Sequence, residues 1–535
     1  MNYANQIAFG FVTALVLSLR AARADWTPPE SSVTPPAVLT LDAFAELGTP
    51  GGKGAIPNGP LVVASDGNLY GSTRLGGTNF DGSTILVGGF GTLFRLTTTG
   101  KFTKLQDLGN AQGDPSALVP GPNGTLVCLA LYGATQESAD GGTESLLLRL
   151  STNGTVDVYG DFLVPTDGDV LGLMLGPDDA LYMPYARGYG LVPPAVYGIY
   201  PPAVYRVAPP DGTASTLYSF EFPGVGTNGT LPHSLVLGHD GAIYGVTLKG
   251  GPANKGTVFR LTTQGAFTNL HDFNGPDGSN PGGPILVGSD GALYGWTYYG
   301  GASNNGTLFR VTTGGSFAIL HDFTSADDHQ TSMYLVSGPD GALYGATYWG
   351  GTSNLGTLFR ITTGGAFTKL HDFEGTDGAN PSAAMMVGPD GALYGSTYSG
   401  GSSNLGTLFR LTTGGSFTKL HDFNGTNGSS PDSALVVGPD RALYGSTRTG
   451  GPHGGGILFK LVLERPPAVS IAHSNTFMIV TWPVTSLNLQ LQENTDLSLS
   501  SSWSSVAEPA VTNAGQVSVT VSTTVGQKFF RLKSP

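Results

Sequence analysis

Four His-Asp pairs, beginning at His271, His321, His371 and His421, would offer imidazole beside carboxylate for acid–base work or metal ligation. They recur once per repeat, on what reads as the outermost of four strands. Neighbouring copies there stand too far apart to share one ion at the ~2 Å reach of a metal–nitrogen bond. The first unit carries Gln106-Asp107 at the same place, so the pairs read as hydrogen bonds that hold a strand end. A positive residue closes each third strand: Arg95, Arg149, Arg206, Arg260, Arg310, Arg360, Arg410 and Lys460. Its expected partner is the Asp beside each His, across the strands or between units. Cys128 is the single cysteine; it lies in an apolar run and reads as a small buried side chain, not a nucleophile. The loop Asp377-Gly378-Ala379-Asn380-Pro381 lacks the several carboxylates and bidentate Glu of a calcium loop and reads as a turn. No G-x-S-x-G, H-E-x-x-H or Walker loop occurs. Carboxylates from which a glycoside-cleaving pair would have to be drawn are Glu137, Asp140, Glu144 and Asp178. No metal site and no cofactor is expected.

Binding chemistry is sought where the copies differ, because packing repeats and function does not have to. Two positions before each Gly-Gly vary: Arg74-Leu75, Leu248-Lys249, Tyr298-Tyr299, Tyr348-Trp349, Tyr398-Ser399 and Arg448-Thr449. Tyr298, Tyr299, Tyr348, Trp349 and Tyr398 form an aromatic set on three consecutive units, suited to stacking on sugar rings or peptide side chains. The third unit departs further, with Tyr185, Arg187 and Tyr189 in an expanded, Pro-stiffened stretch that ends in a doubled P-P-A-V-Y. These eight residues are the candidate ligand-binding positions.

The elements that must position them follow a fifty-residue period. A D-G-x-L-Y-G type element begins at Asp240, Asp290, Asp340, Asp390 and Asp440, with an earlier copy at Asp66 and two degenerate copies at Asn123 and Asp178. One unit, from Met385 to Pro431, predicts four short strands: Met385–Val387, Ala392–Tyr398, Thr407–Thr412 and Phe417–Phe423, separated by Gly-, Pro- and Asn-rich turns. Eight such units predict an all-β, eight-bladed β-propeller over 37–465. The last unit lacks a fourth strand, and residues 38–44 match that strand's pattern, so the N-terminal strand is expected to complete the last blade. Beyond Pro466-Pro467 the repeat ends, and 466–535 reads as a small β-sandwich.

The G-x-L-Y-G strand, the Gly-Gly-x-Ser-Asn loop, T-L-F-R-[LIV]-T-T and F-T-K-L-H-D-F resemble the Gloeo-Verruco tandem repeats of exported bacterial proteins. The match is close over 236–460, fair over 61–108 and poor over 111–235. The resemblance implies a secreted repeat protein and brings no established reaction.

Composition narrows the classes. The chain has 535 residues, 82 of them Gly, and only 12% are charged, about half the usual share. With 39% hydrophobic residues it can bury a large core. A net charge of −13 without a basic run excludes nucleic acid as an expected partner. Residues 1–24 read as a signal peptide ending in Ala22-Arg23-Ala24, and 25–36 as a linker. No later apolar run is long enough to span a bilayer. The expectation is a secreted, periplasmic or cell-surface monomer that presents a loop face to a glycan or an extracellular protein without catalysis. A polysaccharide-active enzyme built on 111–235, or a purely structural surface protein, is the alternative.

Overall fold

A computed structural model describes residues 39–47, 54–76, 91–108, 114–131, 142–165, 168–170, 172–187, 202–221, 228–324, 334–463, 470–473, 477–483, 490–494, 504–513, 516–522 and 529–533. Among these the chain is all-β, with a single turn of 3₁₀ helix at Pro122–Gly124 and no α-helix. Eight antiparallel sheets of four or five strands follow one another from residue 39 to residue 463.

The fifth sheet shows how the sequence builds one. Ser279–Val287, Leu293–Tyr299, Thr307–Val311 and Phe317–Asp322 pair in chain order. Gly288 donates to the Ala292 carbonyl at 2.8 Å to close the first turn. Asp290 accepts the Ala292 N–H, and Gly291 supplies the left-handed φ of +75° that the turn needs. Between the third and fourth strands, Thr312 takes the Ser316 N–H on its hydroxyl and gives its own N–H to the Ser316 carbonyl.

Side chains alternate along a strand, and here both faces are buried. Leu293, Phe309 and Val311 join Tyr244, Val246 and Phe273 in the core between the fourth and fifth sheets. Tyr294, Trp296 and Leu308 join Leu343, Phe359 and Ile361 in the core between the fifth and sixth. The same alternation builds a core between each consecutive pair from the first sheet to the seventh. Cys128 is fully buried in the first of these cores, where the apolar surroundings push its thiol up to about 12. Phe423 and Phe459 meet between the seventh and eighth sheets.

The eighth sheet has the order Leu39–Glu46, Ile457–Leu463, Leu443–Ser446, Val436–Val437. Its outer strand therefore comes from the N-terminal segment, as the missing fourth strand predicts, and the Leu47 N–H continues the attachment to the Gly456 carbonyl at 3.2 Å. From this sheet Tyr444 Oη and Lys460 Nζ both donate to the Thr98 carbonyl of the first sheet, at 3.3 and 2.9 Å.

Residues 461–535, with the segment before Leu41, form a separate compact unit. There, Ser470–His473, Phe477–Pro483, Gln516–Ser522 and Val511–Asn513 make one sheet, and Ser504–Ser505, Gln490–Asn494 and Phe529–Lys533 another. Met478, Val480 and Trp482 of the first sheet share a core with Leu491 and Phe530 of the second. Trp482 is thus a core residue; Trp503 lies outside the described residues.

Candidate functional site

The recurring charged residues are absorbed by the scaffold, with one partner different from the expected one. Arg260 does not reach Asp272 beside His271. Its guanidinium binds Asp240 at 2.9 Å, and the Tyr244 hydroxyl donates to the same carboxylate oxygen at 2.9 Å. The reason is register: Tyr244 and Arg260 are cross-strand partners, and the turn that opens the second strand brings Asp240 back onto the Tyr244 hydroxyl. Asp290–Arg310, Asp340–Arg360, Asp390–Arg410 and Asp178–Arg206 repeat the arrangement, and Asp440 does so with Lys460. Asp178, one of the four carboxylates from which a hydrolytic pair would be drawn, is therefore a structural anchor. Glu137 and Asp140 lie outside the described residues, and of Glu144 only the backbone is described. Three of the four Asp residues beside a His instead take a neighbour three residues back in their own strand: Asn269 for Asp272, Lys369 for Asp372, Lys419 for Asp422.

The histidines hold loops. His271 Nε2 lies 3.0 Å from Asp277 Oδ2, and His371 Nε2 lies 2.8 Å from Asp377 Oδ2. Asn427 donates to His421 at the same place, which an uncharged imidazole satisfies. Each Asp also accepts a backbone N–H with its other oxygen, from Asn274 and Glu374, so these loops are turns. The imidazoles of His271, His321 and His371 stack on Phe317, Phe367 and Phe417 of the next sheet, with centroids 3.6–3.7 Å apart and planes within 6°.

This arrangement sets the acid response. Burial holds His271 below its ordinary 6.5 despite Asp277, and burial does the same for His233 and for His421, against the pull of Asp422. A depressed histidine binds fewer protons in the fold than in the unfolded chain. Its contribution is complete above 6.5 and is lost as pH falls through the folded value. Burial would raise Asp240, Asp290 and Asp340, but their hydrogen bonds to Arg, Tyr and backbone outweigh it and hold them below 3.8. Their contribution is lost at lower pH still. The urea midpoint should therefore decline in two stages, one beginning below about pH 6.5 and one below about pH 4; a midpoint flat from pH 7 to pH 5 would contradict the buried neutral histidines.

The candidate ligand positions lie at the ends of the second strands. In the fifth sheet the Thr297 hydroxyl donates to the Tyr299 carbonyl at 2.9 Å and accepts the Thr307 N–H at 2.9 Å. Buried Thr pairs do the same in the fourth, sixth and seventh sheets. The following loop is closed by Asn304, whose side chain accepts the Gly300 N–H at 3.0 Å. The strand end and its aromatic residues are thereby fixed in place.

Tyr299 and Trp349 stand out, 39% and 41% exposed. Tyr298 turns inward against Trp296, with centroids 4.6 Å apart, and lies over the Gly282 backbone. Tyr348 meets Trp349 edge-on at 5.0 Å, and Tyr348 and Tyr398 are close enough to interact electrostatically. Tyr299 and Trp349 are on different sheets and share no ring contact among the described residues. Tyr185 is only 1% exposed, within the strand Leu181–Arg187 and edge-on to Tyr205; the structure places it in the core. The side chain of Arg187 and all of Tyr189 lie outside the described residues, as do the expanded loops of the first and third units.

Tyr299 forms part of an open cleft of about 780 Å³ between the fourth and fifth sheets. Lys249 and Lys255 of the fourth sheet and Asn280, Tyr299, Asn304 and Asp322 of the fifth line it. Lys249 Nζ donates to Asn280 Oδ1 at 3.4 Å, and the Asn280 N–H donates to the Lys255 carbonyl at 2.7 Å. Neither lysine makes an ion pair among the described residues. Of the variable positions only aromatic residues are among the expected ligand-binding positions; Lys249 is named as variable without a role, and Lys255, Asn280 and Asp322 are not expected to bind. The signal was available: where Lys249 and Lys255 stand, the next three units carry Tyr299, Trp349 and Ser399, and Asn305, Leu355 and Leu405.

Among solved structures the chain is similar to a gluconolactonase from Xanthomonas campestris, at 14% identity and a TM-score of 0.32, covering 65% of this chain and 98% of that one. It is similar also to a puromycin hydrolase, at 14% identity and a TM-score of 0.41 over 71% and 60% of the two chains. A luciferin-regenerating enzyme matches at 13% identity and a TM-score of 0.31 over 58% and 87%. No curated protein matches the sequence. The model of the Gloeobacter/Verrucomicrobia repeat matches twice, over 200–385 and 314–494. These spans hold the anchors at Asp240, Asp290, Asp340, Asp390 and Asp440, the His–Phe stacks and the cleft, and the chain belongs to the Gloeobacter/Verrucomicrobia repeat family.

Proposed function

We propose that the protein is a secreted, non-catalytic binding protein. Its eight sheets would close into an eight-bladed propeller over 37–465, with a small β-sandwich over 466–535, and its loop face would engage a glycan. The single observation that carries the reading is the cleft between the fourth and fifth sheets. It is open, is lined by lysine, asparagine and aspartate side chains together with an aromatic ring, and is held by backbone and Thr hydrogen bonds that need no ligand to form. A pre-formed site of this kind suits a sugar, which offers one flat apolar face and many hydroxyls. Succession of the sheets and the bonds from the eighth to the first support ring closure. The repeat family's occurrence on exported proteins, with residues 1–24, supports secretion.

A glycan array probed with the mature chain and with a Tyr299→Ala, Trp349→Ala variant tests the reading. Specific signals lost in a variant that melts at the parent temperature are the expected result. Equal signals from both would remove the aromatic face as the site, and silence from both would leave a protein ligand or a structural role.

A further inference from the structure

The geometry points to an anionic sugar unit as the ligand of the cleft between the fourth and fifth sheets, its negative group held by Lys249 and Lys255. The inference rests on the glycan-binding reading and deepens it. Three observations carry it together.

First, the two lysines interrupt a repeat that does not require them. At the second variable position Lys249 stands where the other copies have Leu75, Tyr299, Trp349, Ser399 and Thr449, and Lys255 stands where two other copies have Leu. Second, their charge is uncommitted. Lys104, Lys369 and Lys419 are each paired with an Asp three residues on, and Lys460 is paired with Asp440. Lys249 touches only an amide oxygen, in a chain of net charge −13. Two lysines without an ion pair among the described residues, lining one cleft, leave positive charge there for an anion to offset. Third, the rest of the lining matches a sugar ring. Tyr299 offers a face, and Asn280 and Asn304 offer amides. Asp322 lacks the lysine partner of Asp372 and Asp422, because Ile319 stands three residues before it. Its Oδ1 takes the Ala302 N–H at 3.4 Å, and its other oxygen can accept sugar hydroxyls. A carboxylate in the same cleft as the two lysines also disfavours a ligand that is anionic throughout, such as a polyphosphate. It fits a ring with one acidic group and free hydroxyls at the other end.

The test is calorimetric titration of the full mature chain with three tetrasaccharides: a uronate chain, its carboxyl-reduced neutral form, and a neutral chain bearing sulfate. The uronate or the sulfated chain should bind about tenfold or more tightly than the neutral one. The preference should weaken with added salt and should vanish in Lys249→Gln, Lys255→Gln, whose melting temperature should match the parent's. Which acidic chain shows the lysine-dependent preference identifies the anion. Tyr299→Ala should weaken all ligands alike. Equal binding of neutral and acidic chains, unchanged by the lysine substitutions, would overturn the anionic assignment and leave glycan binding standing. Absence of binding by every chain would overturn both.

Discussion

Replacing Phe309 by Ala should cost the fold about 3–5 kcal/mol. Phe309 is fully buried, and its ring meets Phe273 at 5.2 Å and Phe317 at 5.9 Å in the core between the fourth and fifth sheets. Directly across the ladder stands Gly295, where an added Cβ would come within 2.6 Å of the Phe309 ring. Gly295→Ala alone should therefore overpack the core and cost about 1–3 kcal/mol. The two changes are not independent. With the ring gone the new methyl enters space the ring had filled, so the double variant should be less destabilised than the sum of its parents. Urea denaturation of the four proteins measures this directly. Additive losses would show that Gly295 is retained for a reason other than the aromatic ring above it. The same pairing recurs at Gly245 with Phe259, Gly345 with Phe359 and Gly395 with Phe409, so the result reads out a rule for the repeat.

The second large effect concerns Leu39–Glu46. Deleting this strand should leave the eighth sheet with three strands and expose the backbone edge of Ile457–Leu463. Each ladder bond lost is worth about 0.5–1.5 kcal/mol net. Several together approach the whole net stability of a folded domain, about 5–15 kcal/mol. An uncovered edge is also a template for association. The truncated chain should melt well below the parent and scatter light on warming, and a synthetic peptide of residues 39–46 added in excess should restore both properties. A truncated chain as stable as the parent would show that the strand is ornamental.

Much of the scaffold could be read from the chain because its physics is periodic. The expected strand Thr407–Thr412 is found at Thr407–Leu411, and Phe417–Phe423 at Phe417–Asp422. Alternation and turn residues decide those bounds locally. Residues 38–44 could be matched to the pattern of Phe417–Phe423, far along the chain, because the missing fourth strand was already known from the other units. The partner of Arg260 was misread because the choice between Asp240 and Asp272 depends on ladder register, which composition does not display. The cleft was only half legible. Aromatic variation marks Tyr299, and departure from the repeat marks Lys249 and Lys255, but that these share a cleft follows only from the packing of the fifth sheet against the fourth. Tyr185 shows the converse: a residue type suited to binding lies in a strand whose faces are both covered, and its ring becomes core.

The eighth sheet also imposes an order on assembly. Each sheet from the first to the seventh is made of strands consecutive along the chain, so it can form as soon as its own stretch has been synthesised. The eighth must join Glu46 to Ile457. Closing a loop of that length costs roughly 3 kcal/mol more chain entropy than closing a ten-residue hairpin. Until Ile457–Leu463 emerges, Leu39–Glu46 has no ladder partner and the first sheet lacks the neighbour that donates to Thr98. The molecule can therefore fold stepwise from its beginning yet become complete only near its end, and a chain cut short before residue 457 would carry an open seam that marks it as unfinished.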